Sequence, residues 1–143
     1  MRGIIKFGLL ISICVICFGA CSSRQWFTNK TVVEIGESDK FSGDEIQSAA
    51  DLVTDEETGY ENCSLLSVCY DEEKSDAAVK SYMEHGRGKD NNVSEENVIV
   101  MLSSFKTYGE QPVLNSNHTY ENYRWILIRD SESSPWRIDD RGY

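Results

Sequence analysis

Apolar positions fall into blocks of different period along the chain. From Phe7 to Ala20 they are almost continuous, FGLLISICVICFGA, interrupted only by Ser12. Further on, Thr31-Val32-Val33-Glu34-Ile35 has the β-branched content of a strand. Ile46, Ala49, Ala50 and Val53 then recur at i, i+3, i+4 and i+7, the single apolar face of a helix. Its start lies in Phe41-Ser42-Gly43-Asp44-Glu45-Ile46. Ser42 and Glu45 form an S-x-x-E capping box, and Phe41 and Ile46 flank it as a hydrophobic staple. Asp44 and Glu45 also suit the positive end of a helix. The pattern predicts a helix from about Gly43 to Thr54, with Gly59 in the loop after it.

Cys63 to Tyr70, CSLLSVCY, reads as a strand with Leu66, Val68 and Tyr70 on one face and Cys63, Leu65 and Cys69 on the other. Ser75 is placed to cap a second helix reaching His85, with Ala78, Val79, Tyr82 and Met83 inward and Gly86 as its stop. Residues 85–92 read as a polar loop. Val98 to Phe105, VIVMLSSF, is a nearly unbroken apolar run and should be a central strand. Residues 106–122 are turn-rich and long enough for a functional loop or a hairpin of their own. Tyr123, Trp125 and Leu127 alternate with Arg124, Ile126 and Ile128, and Trp136 and Ile138 alternate with Arg137 and Asp139. These two strands should pair antiparallel. There is no internal repeat and no sign of a second domain. Helices early and strands late predict an α+β fold, with both helices on one face of a curved antiparallel sheet that ends in a C-terminal hairpin.

Cysteine placement and charge add a location. Arg2 and Lys6, the apolar run and the small residues at its end describe a secretory signal peptide. The run is shorter than the roughly 20 residues of a membrane-spanning helix, which leaves a retained anchor helix as the alternative. Phe18-Gly19-Ala20-Cys21 resembles the lipobox of bacterial lipoproteins, with Phe18 standing where that family has an aliphatic residue. The resemblance implies cleavage between Ala20 and Cys21 and a diacylglycerol on the Cys21 thiol, the one covalent group expected on the chain. Two acyl chains hold firmly where one holds marginally, at about 0.8 kcal/mol per buried methylene. The rival reading is ordinary cleavage after Ala20, leaving a secreted protein with a free terminal Cys. Either cut discards Cys14 and Cys17. The chain then divides into signal peptide (1–20), lipid-anchored leader with a short strand (21–40) and one α+β domain (41–143).

Removing the signal leaves twelve basic against twenty-four acidic side chains, a balance of −12. That charge argues against nucleic acid and anionic lipid surfaces as partners. Two cysteines remain in the domain. Six residues of extended strand would separate Cys63 from Cys69 by about 20 Å, whereas a disulfide needs Cα atoms within about 7 Å. Two separate thiols on one strand face are expected.

Several segments together resemble a family of small lipoproteins of Gram-positive, often intestinal, bacteria that carry a domain of unknown function. They are Asn62-Cys63-Ser64-Leu65, Tyr70-Asp71-Glu72-Glu73-Lys74-Ser75, Tyr82-Met83-Glu84-His85-Gly86-Arg87-Gly88, Leu102-Ser103-Ser104-Phe105 and the tail Trp136-Arg137-Ile138-Asp139-Asp140-Arg141-Gly142-Tyr143. Asn62 stands where many members have Gly. The family has no assigned activity, so the resemblance implies none. The closing hairpin is similar to cystatin-like and nuclear-transport-factor-2-like folds, an analogy of fold alone.

Candidate chemistry is sparse. Asp71-Glu72-Glu73 could hold a cation, but lacks the D-x-D-x-D-G pattern of a calcium loop and suits the start of a helix. His85 and His118 are the only histidines, without the spacing of a zinc site. No G-x-S-x-G elbow occurs. A thiol in mid-strand is usually inert. Gly86-Arg87-Gly88-Lys89 follows a helix instead of opening one, so it reads as a turn, not a phosphate cradle. Tyr70, Trp125, Asp139 and Asp140 are the pocket candidates, and on a regular strand Asp139 and Asp140 point to opposite faces. Two functions stay open. One is a membrane-anchored, extracytoplasmic, non-catalytic module that binds an envelope protein or a small ligand. The other is a small cone-fold enzyme using Asp139 or Asp140 with a nearby Tyr or His.

Overall fold

The computed structural model describes residues 31–143. The signal, the lipobox and Cys21 lie outside the described residues. Within these, the elements are β1 (Val32–Glu34), α1 (Gly43–Thr58), β2 (Cys63–Cys69), α2 (Glu72–His85), the single-turn α3 (Gly88–Asn91), β3 (Val98–Thr107), β4 (Thr119–Ile128) and β5 (Arg137–Gly142). The strands form one five-stranded sheet in chain order. The expected α+β class is what the chain adopts, with β4 and β5 paired antiparallel as anticipated. The sheet is mixed, however, because α1 crosses over between β1 and β2 and so sets these two strands parallel.

The helices divide between the two faces of the sheet instead of sharing one. Side chains alternate along β3. Ile99 and Met101 join Trp125 and Leu127 under Ile46, Ala49, Ala50 and Val53 of α1. Val98 and Val100 join Ile128 under Ala78, Val79 and Tyr82 of α2. VIVMLSSF is apolar at both parities because each face of the central strand has its own helix.

The start of α1 follows its sequence signature. The Ser42 hydroxyl accepts from the Glu45 amide at 3.3 Å, and Glu45 Oε2 accepts from the Ser42 amide at 2.8 Å. Phe41 and Ile46 are both buried in the α1-side core. The helix runs one turn past the predicted end, to Thr58. The second helix starts earlier than predicted, with Asp71 as its cap accepting from the Lys74 amide at 3.1 Å. Residues 88–91, expected in a loop, form a helical turn.

Ser75 therefore lies inside α2, and its hydroxyl has a different task. It accepts the Val100 amide at 3.1 Å, beyond the last β2 rung, where Cys69 pairs with Leu102. The side chain takes the place of a strand that has ended. Ser75→Ala leaves a buried amide unpaired and is expected to destabilise the domain by about 1–3 kcal/mol. Urea unfolding checks this, and an unchanged midpoint would remove Ser75 from that role.

Single extra residues reset three strands, one of them β4 between Tyr120 and Tyr123. In β2, Leu65 pairs with Phe105 and Ser67 with Ser104, so Leu66 is a bulge. Leu65 thereby shares the buried face with Val68 and Tyr70, while Leu66 turns to solvent. Cys63 goes with Leu65 and Cys69 takes the other face. The thiols are separate and free, as expected, but on opposite sides of the strand and not on one. In β5, Ile138 pairs with Leu127 and Asp140 with Ile126, which makes Asp139 the extra residue.

Candidate functional site

The last turn of α1 carries a charged residue on its buried stripe. Glu57 follows Ala50 and Val53 at i+7 and i+4, so the helix points it at the sheet, where only 2% of it is exposed. It lines a cavity of about 610 Å³ between the end of α1 and the sheet. Phe105 of β3, Tyr123 and Trp125 of β4 and Cys63 of β2 contribute walls, and Arg141 of β5 stands among them. The loop between β3 and β4 closes one side through Glu110 to Leu114. That turn-rich segment is anchored at its base. The Thr107 hydroxyl donates to the Asn115 carbonyl at 2.6 Å and accepts the His118 amide at 3.0 Å.

Glu57 Oε2 is enclosed and has no hydrogen-bond partner among the described residues. Burial pushes its pKa up to about 7, against the smaller opposing pulls of Ser103 and Arg141. Ser103 is free to help in this way: its oxygen accepts from Trp125 Nε1 at 2.9 Å, which leaves its own proton available. Burial, and then the Glu57 charge, also raises the Cys63 thiol. The Tyr123 hydroxyl is raised for the same two reasons. Arg141 donates to Glu56 Oε1 at 3.2 Å and lies 5.1 and 5.4 Å from the ring centroids of Tyr60 and Trp125. The arrangement is a largely apolar hollow with one enclosed acid, Glu57, and with the exposed Glu61 and Glu110 and the cation Arg141 also on its lining. It can enclose a small molecule and present it with a carboxyl group of adjustable charge.

Of the four sequence candidates, only Trp125 lines this cavity. Tyr70 is buried in the α1-side core, edge-on to Phe41 at 6.2 Å, with its hydroxyl unpartnered among the described residues. The two aspartates are on the α2 side of the sheet. The bulge brings them there together, where a regular strand would have parted them. The Tyr82 hydroxyl donates to Asp139 Oδ2 at 2.7 Å, and Arg87 Nη1 donates to the Asp139 carbonyl at 2.8 Å. The Tyr82 pKa is driven to about 12 by burial and by that carboxylate. Asp140 lines a smaller pocket of about 210 Å³ with Tyr82, His85 and Tyr143. Glu57 and Arg141 are the lining residues that the sequence did not single out, and Cys63 was read there only as an inert strand thiol. A signal existed for Glu57, since the 46-50-53 stripe continues onto it once the helix is carried past Thr54.

A sequence profile for a domain of unknown function (DUF4829) matches residues 44–142. The chain belongs to that family. The DUF4829 match runs from the first turn of α1 into β5, so it contains every residue that lines the cavity and leaves β1 outside. No curated protein and no solved structure matches the chain. Among the described residues no cluster of three or more His, Cys, Asp or Glu is placed to hold a metal ion.

Proposed function

We propose that this protein is a lipid-anchored, extracytoplasmic binding module of the bacterial cell envelope, without catalysis, and that it takes a small ligand between α1 and the sheet. The observation that carries the reading is Glu57, an enclosed carboxyl with an unpartnered oxygen on the wall of a cavity of about 610 Å³. A structural acid at such a position would have its partners supplied by the fold. The cavity is of the size ligand sites commonly have, roughly 300–1,000 Å³, and Tyr60, Phe105, Tyr123 and Trp125 are among its walls. The catalytic alternative, Asp139 or Asp140 with a nearby Tyr or His, has its residues on the other face of the sheet, where Asp140 lines the smaller pocket with Tyr82, His85 and Tyr143; among the described residues no hydrogen bond joins either aspartate to His85. The anchor half of the proposal rests on the lipobox-like Phe18-Gly19-Ala20-Cys21.

Two experiments test the halves separately. Native mass spectrometry of full-length protein extracted from membranes is expected to show a retained small molecule. That molecule is lost when Cys63→Trp fills the cavity. Absence of any adduct, together with a melting temperature that envelope extracts do not raise, would sink the ligand reading. For the anchor, intact mass is expected to show diacylglyceryl on Cys21, and Cys21→Ala is expected to leave the membrane fraction. Equal membrane retention of an unlipidated Cys21→Ala chain would support an uncleaved helix instead.

A further inference from the structure

We infer that the ligand is an organic amine on an apolar body, its ammonium donating to the Glu57 carboxylate and its hydrocarbon lying against Phe105, Tyr123 and Trp125. This deepens the binding reading above and rests on it. The first support is charge. Glu57, Glu61 and Glu110 line the cavity against Arg141, the single cation there among the described residues, whose guanidinium is already paired with Glu56. An anionic ligand would therefore place a second negative charge beside Glu57 in a medium that screens poorly. A neutral alcohol offers one donor and leaves the carboxylate charge uncompensated. An ammonium offers three donors and the countercharge. The second support is the ring set. Arg141 lies 5.4 Å from the Trp125 centroid and 5.1 Å from that of Tyr60, so aromatic faces at this site already accept a cation. The net charge of −10 favours the approach of cations as well.

Amine binding is coupled to proton release. The groups facing Glu57 are Cys63 from β2, Ser103 from β3, Tyr123 from β4 and Arg141 from β5, with Glu56, Tyr60 and Glu61 adjoining on its own side and Glu110 on the loop between β3 and β4. In the empty site the acid titrates near 7, so below that pH the amine must displace the Glu57 proton. Affinity should weaken about tenfold from about pH 8 to about pH 6.

Isothermal titration of the full chain with phenylbutylamine, phenylbutanol and phenylbutyrate tests the inference, because the three share a body and differ in the polar group. The amine is expected to bind the native chain at least tenfold more tightly than the alcohol, to show that pH dependence, and to lose roughly tenfold or more in affinity to Glu57→Gln. Cys63→Trp is expected to abolish amine binding with Glu57 intact. Equal or tighter binding of phenylbutanol or phenylbutyrate overturns the amine while leaving the cavity a ligand site. Unchanged amine affinity in Glu57→Gln overturns the role of the carboxylate. If none of the three binds, the inference falls, while the binding reading stands or falls separately on the adduct retained from membranes.

Discussion

Glu57→Gln is expected to stabilise the domain above neutral pH and to flatten most of the pH dependence that the native chain shows between about 4.5 and 7. The sign follows from the direction of the shift. In the unfolded chain the carboxyl titrates near its ordinary 4.5, whereas in the fold burial holds it at about 7. Between those values the folded state keeps a proton that the unfolded state has lost, so stability falls as pH rises. Stability from this group is thus fully present below the unfolded value and lost through the folded one. A shift of that size corresponds to about 3 kcal/mol at most, or roughly 10 °C in melting temperature for a domain of this length. Gln is close in shape, carries no charge, and retains the hydrogen bond open to Ser103. The remaining acids do not blur the comparison. Hydrogen bonds hold Glu45 and Asp71 below their usual range, so they titrate on the acid side. They are also common to both chains, and the difference between the two stability curves isolates Glu57. Urea unfolding at a series of pH values measures it, and two parallel curves would show that Glu57 is not the buried acid described here. The same substitution is expected to weaken amine binding roughly tenfold or more, so a gain in stability and a loss of affinity would come from one oxygen-to-nitrogen change. That pairing is what a site held ready for a ligand produces, since a group kept for binding is left unsatisfied in the empty fold.

What could be read in the sequence was local, and what could not was a matter of single residues whose effect is long-ranged. Ser42 and Glu45 are three apart, and their reciprocal hydrogen bonds involve only each other, so the start of α1 was legible to the residue. The alternation of Tyr123, Trp125 and Leu127 put all three on one face, which the fold turns to α1, because nothing interrupts β4 there. Leu66 and Asp139 are different. A bulge depends on the partner strand as much as on its own sequence, and one extra residue exchanges the faces of everything beyond it. The faces assigned to Leu65, Leu66, Cys63 and Cys69 changed in this way, and Asp139 joined Asp140. The two-sided packing of the sheet was visible in part, since VIVMLSSF is apolar at both parities, yet composition alone does not tell which helix covers which face. Glu57 was passed over for a further reason: an acid on an apolar stripe looks like the end of the stripe. In this fold it marks the point where the stripe stops packing and begins to line a cavity.

Glu45→Ala is expected to be the more damaging of two substitutions that break the same ion pair. Arg129 Nη1 donates to Glu45 Oε1 at 2.6 Å, and Arg129 is only 5% exposed. Its guanidinium also lies 4.4 Å from the Trp136 centroid, and its Nε donates to Asn97 Oδ1 at 3.2 Å. Glu45 in turn serves three connections. Its Oε2 closes the capping box with Ser42, its Oε1 meets Arg129, and its backbone carbonyl accepts Trp136 Nε1 at 3.1 Å. Removing the carboxylate leaves a buried cation without its countercharge and opens the box, which should cost about 3–5 kcal/mol. Arg129→Met leaves instead a carboxylate whose side chain is 26% exposed, still bonded to Ser42, with a side chain that can fill the space over Trp136. That change should cost about 1–3 kcal/mol. The asymmetry distinguishes a desolvated charge from a simple lost contact, for which the two substitutions would cost the same. A double-mutant cycle by urea unfolding decides it, with the double variant expected to be more stable than Glu45→Ala alone, because it removes the stranded cation. The pH dependence supplies a second readout. Hydrogen bonds from Ser42 and Arg129 depress the Glu45 pKa, so this contribution is present above its ordinary range and is lost as pH falls through the folded value. Acid therefore loosens the α1 start through Glu45, whereas rising pH loosens the α1 end through Glu57. Stability should be greatest between the two, and Glu45→Ala should reduce the acid limb and leave the alkaline one, Asp71 keeping its own share of the acid limb.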